Sequence, residues 1–235
     1  MLDLLEHGPP LEIEEMEIEE TDALGPRLGE EGLDIISDNR ITDLRDWLQP
    51  PMDAPQRVYV YRHVMVRKTS ESTGIPGLRL QSLWDSPELS VHCENTELQP
   101  VLRRCKQSAA DDQVASYAWE IMLDFSNVPL GATLELVVEV MLKASSSDDR
   151  FATKEWWRFE VDANPEVATS WVLLPETAPH DIFNVVRYLN ESPAVIELVK
   201  PTHQTRLYGG SVINWSVVHP EPGYTYSSRW SKEER

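Results

Sequence analysis

The stretch from Tyr117 to Lys143 constrains the fold of this chain more than any other. Its odd positions run Tyr117, Trp119, Ile121, Leu123 and Phe125, and the even positions between them hold Ala118, Glu120, Met122 and Asp124. An apolar side chain at every second residue gives an extended strand one dry face and one wet face. Ser126, Asn127, Val128, Pro129, Leu130 and Gly131 then read as a short connection. After it the alternation resumes on Leu134, Leu136, Val138, Val140 and Leu142, with Thr133, Glu135, Glu139 and Lys143 on the other side. A helix over this second half would be apolar around most of its circumference. It would also use Val137, Val138 and Val140 where β-branching costs χ1 freedom. Two strands joined as a hairpin are the expectation.

The rest of the body reads as strands that cover this pair. Arg57 to Arg67 is rich in Val and Tyr, and Leu78 to Trp84, Leu89 to Cys93 and Glu155 to Val161 each alternate. Thr169 to Leu174, Ile182 to Leu189, Ala194 to Val199, Ser211 to Val218 and Tyr224 to Trp230 complete the series. They are separated by Asn190-Glu191-Ser192-Pro193, a Pro201 to Gly210 loop and Pro220-Glu221-Pro222-Gly223. The exception is Leu98, Val101, Leu102 and Cys105, whose three- and four-residue spacing behind Asn95 or Thr96 predicts a helix. Many short strands with Pro and Gly turns predict a mainly β fold, an antiparallel two-layer β-sandwich with one or two short helices. Pro222-Gly223-Tyr224-Thr225-Tyr226 is similar to the Pro-Gly turn and strand tyrosine at a corner of fibronectin type III and other immunoglobulin-like domains. That resemblance implies an immunoglobulin-like sandwich in which the phenol bonds back to backbone, and it implies no function. The Cys, Trp, Cys framework of true immunoglobulin domains is absent from the chain.

Charge divides the chain. Of its formal −19, most sits in Met1 to Pro51, where fifteen acidic residues face three basic ones. Residues 1–56 are therefore expected to be an acidic, partly disordered extension, and 57–235 the sandwich domain. Within the extension, Leu11, Ile13, Met16 and Ile18 alternate irregularly with Glu12, Glu14, Glu15, Glu17, Glu19 and Glu20. This is the pattern of a segment that orders on a basic, apolar groove of a partner or of its own domain. Ser37, Asp38 or Asn39 would cap a short helix over 39–48 that carries Ile41, Leu44, Trp47 and Leu48 and stops at Pro50 and Pro51. A Trp47 not docked on the body would become an anchor for a partner.

The acidic balance argues against nucleic acid and anionic membranes as partners. With no run near the roughly 18 apolar residues of a membrane span, no secretory signal and only Cys93 and Cys105, the expected compartment is the cytoplasm. Chemistry is sparsely marked. In His92-Cys93-Glu94, neighbouring strand residues point to opposite faces, so His92 and Cys93 do not form a nucleophile pair with each other; His63, His180, His203 and His219 are distant. No Cys-x-x-Cys, His-x-x-x-His, phosphate loop or nucleophile elbow occurs, and neither a metal nor a cofactor is expected. Of the eight tryptophans, Trp119, Trp157, Trp171 and Trp215 are expected in the core. Trp156, beside Arg158 and opposite Trp157, is the candidate interface anchor. The expectation is a non-enzymatic protein-protein interaction or regulatory module whose acidic arm engages a basic or mixed basic and apolar surface. The alternatives are a structural subunit of a larger assembly, and a hydrolase using Cys93 or paired carboxylates.

Overall fold

The computed structural model describes residues 10–18, 29, 32–49, 52, 56–71, 75–82, 88–93, 98–107, 116–143, 156–160, 165–176, 182–189, 192–207, 211–221 and 223–231. Among them fifteen strands and one helical turn build a mainly β fold of three sheets. The largest has seven strands in the order β13 (His203–Leu207), β14 (Val212–Val218), β10 (Val167–Leu173), β2 (Leu33–Asp43), β3 (Arg57–Lys68), β8 (Thr133–Lys143) and β5 (Glu88–Cys93). One four-stranded sheet runs β1 (Glu14–Ile18), β6 (Pro100–Gln107), β7 (Ser116–Leu123), β4 (Gly77–Ser82). The other runs β12 (Ser192–Val199), β11 (Ile182–Leu189), β15 (Tyr224–Ser231), β9 (Trp156–Glu160). Every pairing is antiparallel except β1 with β6 and β2 with β10.

Strand periodicity decides which side of the large sheet is dry. Val58, Val64 and Val66 of β3 share a face with Leu136, Val138 and Val140 of β8, Ala168 and Val172 of β10, and Ile213 and Trp215 of β14. All are buried in one apolar core, together with Leu102, Ile121 and Leu123 from the first small sheet and Val185 and Tyr226 from the second. A fully buried aliphatic side chain contributes about 1.5–3 kcal/mol. A one-residue slip of β8 would exchange its leucines and valines for Glu135 and Glu139, so the core fixes the register. The second small sheet is tied in by Trp215, fully buried, whose Nε1 donates to Ser228 Oγ at 2.8 Å and whose ring stacks on Tyr226 at 6.2 Å. Tyr226 also takes a hydrogen bond on its hydroxyl from the backbone N–H of Glu221 at 3.1 Å, the phenol-to-backbone contact expected at this corner.

Several expectations are corrected. The two halves of Tyr117–Lys143 do not form a hairpin, because β7 and β8 belong to different sheets and the connection between them crosses from one to the other. Lys68 holds that connection. Its buried ammonium donates to the carbonyls of Phe125 at 3.0 Å and Val128 at 2.8 Å, with Ser126 at 3.5 Å. Residues 33–43, expected in the extension, are a central strand of the large sheet. The expected helix over 39–48 shrinks to α1 (Arg45–Leu48), because Asn39 to Asp43 are committed to ladders with β3 and β10. The helix expected at Leu98 to Cys105 is strand β6, held between β1 and β7; pairing on both sides overrides a weak periodic signal. Part of the Pro201 to Gly210 loop is strand β13. Of the expected antiparallel two-layer sandwich, the mainly β character and the largely antiparallel pairing are observed, in three sheets of which two carry a parallel pair. Among the described residues, no helix is long and apolar enough to cross a membrane.

Candidate interaction surfaces

Two surfaces combine exposure with a chemical pattern. The first is the outer face of the seven-stranded sheet, opposite the core. Its central row aligns Trp171 of β10, Ile41 of β2, Tyr61 of β3 and Glu139 of β8 as successive register partners. In the next row His63 and His92 flank Val137, and beyond it Met65 stands beside Glu135. On the other side Tyr59 and Glu88 flank Met141. Trp171, Ile41, Tyr61 and Met65 are half-buried, Tyr59 is exposed and Val137 is buried, whereas on the inner face Val58, Val64 and Val66 of β3 are sealed and Val60 is half-buried. In these four rows the charged residues are Glu135, Glu139, Glu88 and Asp43; Asp43 is ion-paired to Arg45 and Glu88 lies within reach of the Arg57 charge, which leaves Glu135 and Glu139 as the carboxylates that no Lys or Arg in the rows faces. His63 Nε2 lies 3.5 Å from Glu135 and His92 Nε2 lies 3.7 Å from Glu139. Arg67, at one end, is bound to Asp34 at 3.1 Å, and Arg57, at the other, lies close to Tyr59. The Tyr61 hydroxyl is pushed above its ordinary pKa by burial and by the charges of Glu139 and Glu135.

The second surface is the edge where the acidic arm lies. β1 runs parallel to β6, with Met16 opposite Arg103, Glu17 opposite Arg104 and Ile18 opposite Cys105. Just before it, Leu11 N donates to Val91 O of β5 at 2.8 Å, and Leu11 and Ile13 pack partly buried against the core. The arm thus bridges the edges of two sheets. By sequence β1 carries Glu14, Glu15 and Glu17 and β6 carries Arg103, Arg104 and Lys106; the register sets Glu17 opposite Arg104, while Arg103 is ion-paired to Glu120 of β7 at 3.3 Å.

The remaining sequence-derived candidates separate. Trp47 is 6% exposed and belongs to the core, where it docks α1 rather than facing a partner. The side chains of Trp156, Arg158, Met16 and Ile18 lie outside the described residues. Their backbones are placed by register, Trp156 opposite Arg229 and Arg158 opposite Ser227. Cys93 is buried beside Leu136 in the apolar core, a setting without the access that a reacting thiol needs. Among the described residues, no three His, Cys, Asp or Glu side chains gather to hold a metal ion. Trp171, expected in the core, stands instead on the outer face. Strand alternation places it opposite Val172, but it does not say which of two apolar faces receives a covering layer.

No family model matches the chain, and no curated protein matches it. Solved structures with similar chain paths include the M1 zinc metallopeptidase from Deinococcus radiodurans, at 12% identity and a TM-score of 0.38 over 88% of this chain and 44% of that one. They also include native yeast LTA4 hydrolase, at 9% identity and a TM-score of 0.40 over 84% of this chain and 29% of that one. This chain spans less than half the length of either protein. Likeness at this level assigns neither an activity nor a family.

Proposed function

We propose that this chain is a protein-interaction module that works by strand addition, binding without turnover, with its own acidic arm seated in the receiving edge. The carrying observation is the parallel seat of β1 on β6, continued by the Leu11 to Val91 hydrogen bond. Main-chain pairing at a sheet edge supplies affinity, and the charges on the two strands select an acidic, apolar extended segment. Tethering gives the arm a high local concentration, so an external strand meets a competitor. The immunoglobulin-like, two-layer reading of residues 57–235 belongs to this proposal too, supported by the Tyr226 corner.

The test is a labelled peptide with the sequence of residues 10–18. It is expected to bind a chain lacking residues 1–18 saturably, and about tenfold or more weaker to the intact chain, whose arm competes. Equal binding to both, or none to the shortened chain, would refute the proposal. Loss of cooperative unfolding on shortening would also count against it, by making the arm an integral strand. The intact chain with Glu14, Glu15 and Glu17 changed to Lys is the companion variant, and it is expected to bind the peptide more tightly than the parent does.

A second reading, a structural subunit of a larger assembly, is favoured by β12. Its Ile196 is 46% and its Leu198 74% exposed, on a strand that pairs with β11 alone among the described residues. Long apolar edge strands of this kind template association with another chain. Leu198→Lys is expected to lower any self-association seen in sedimentation while leaving the melting temperature nearly unchanged. An unchanged sedimentation profile of an associating protein would remove this reading.

A further inference from the structure

We propose that the outer face of the seven-stranded sheet, from β10 to β8, docks a basic, apolar segment of another protein. The face has an aromatic and aliphatic floor, the row Trp171, Ile41 and Tyr61, on three adjacent central strands with the core behind them. Large, partly exposed aromatics such as Trp171 and Tyr61 are the residue types that dominate binding energy. Along one side stand Glu139 and Glu135, each with a side chain more than half exposed. Carboxylates around aromatic rings favour Lys and Arg twice over, through ion pairing and through the ring faces of Tyr61, Tyr59 and Trp171.

The charge pattern also selects against two other occupants. A second copy laid face to face would bring two sets of Glu135 and Glu139 together, and like charges across an interface disfavour association. The chain's own arm carries the same sign as the face and is already seated on β6. A cationic, apolar segment of a different protein is the occupant that matches both the floor and its rim.

A labelled peptide alternating leucine and lysine, titrated against the full chain at low salt and followed by fluorescence anisotropy, tests this. Glu135→Lys with Glu139→Lys is expected to weaken binding about tenfold or more, the loss of two rim charges and their replacement by repulsion. Glu71→Lys with Glu176→Lys changes net charge equally at exposed positions outside the four rows, and is expected to leave affinity within about twofold. Trp171→Ala should weaken binding with the circular dichroism unchanged. Equal losses in the two double variants would show attraction to bulk charge and overturn the proposal. So would absence of binding to the parent chain, or a parent dimer that Glu135→Lys with Glu139→Lys dissociates.

Discussion

Asp38→Asn is expected to destabilise the fold by about 3–5 kcal/mol, measured by urea unfolding near neutral pH. Asp38 and Arg62 are each almost fully buried on the inner face of the large sheet. The carboxylate accepts from Arg62 Nε at 2.9 Å and Nη2 at 2.6 Å, a two-pronged bond, and from Arg40 at 3.4 and 3.1 Å. Asparagine keeps the size and removes the charge that both guanidiniums bind. Breaking one side of a buried ion pair costs far more than a surface pair contributes, because the remaining charge stays in a poorly solvated site. Arg62→Met added to Asp38→Asn should recover about 1 kcal/mol or more relative to the sum of the single changes, since the two act through one contact. A loss below about 1 kcal/mol in Asp38→Asn would show that the cluster is not holding β2 against β3.

The same cluster has an acid signature. Burial alone would raise the pKa of Asp38, and the charges of Arg40 and Arg62, with hydrogen bonds from both, overcome it and hold the group at about 2. In an unfolded chain it would titrate near 3.9. A carboxyl whose folded pKa is depressed stabilises the fold above the unfolded value and loses that contribution as pH falls toward the folded value. Wild type should therefore lose about 2–3 kcal/mol between roughly pH 5 and pH 2 that Asp38→Asn does not lose. Other carboxylates affect both proteins alike, so the difference between their pH profiles isolates this site. Parallel profiles would contradict it.

These residues also show why sequence reading succeeds and where it stops. Alternation in β5, β8 and β10 was legible because a strand with one covered face must repeat every two residues. Ser37-Asp38-Asn39 carried the opposite message. Three polar residues ahead of an apolar run resemble a helix start, yet here they sit mid-strand, with Asp38 tolerated in the core by Arg62, 24 residues away. No local pattern records a partner at that separation. Leu98, Val101, Leu102 and Cys105 match helical spacing, but Pro100 and Leu102 are the buried positions and Val101 is half-buried, a period of two within the strand. At the candidate surfaces, the acid and apolar character of the arm was readable, and its seat on β6 was not, since strand addition leaves no periodicity of its own. The outer face was hidden more deeply. Tyr59, Tyr61 and Trp171 have the composition of core residues, and only the absence of a covering layer among the described residues makes them surface.

Lys68→Met is expected to cost about 3 kcal/mol and to lower the melting temperature by roughly 6–12 °C for a chain of this size. The methionine fills the space of the lysine stem, so the change removes an ammonium with little loss of packing. What is lost is specific. Phe125 and Val128 carbonyls, buried at the crossing from β7 to β8, accept from Lys68 Nζ; Phe125 O keeps the Val128 amide, whereas Val128 O loses its donor at about 1–3 kcal/mol, on top of the two charge-assisted bonds themselves. The backbone of the same residue closes the other end, with Lys68 N donating to Ala132 O at 3.0 Å and Gly131 N donating to Lys68 O at 2.8 Å. Gly131 holds φ at 78°, a left-handed conformation that suits glycine, so the crossing is shaped by backbone and ammonium together. Hydrogen exchange separates a local from a global effect. The Val128 amide, which donates to Phe125 O, should lose protection before the β3 and β8 ladder does, because the crossing opens while the core remains closed. Lys68→Arg is not expected to rescue it, since a planar fork cannot point at carbonyls arranged around a single ammonium. A methionine variant that melts with the parent and protects Val128 equally would show that the crossing holds itself, and that the seven-stranded and four-stranded sheets are joined without this buried charge.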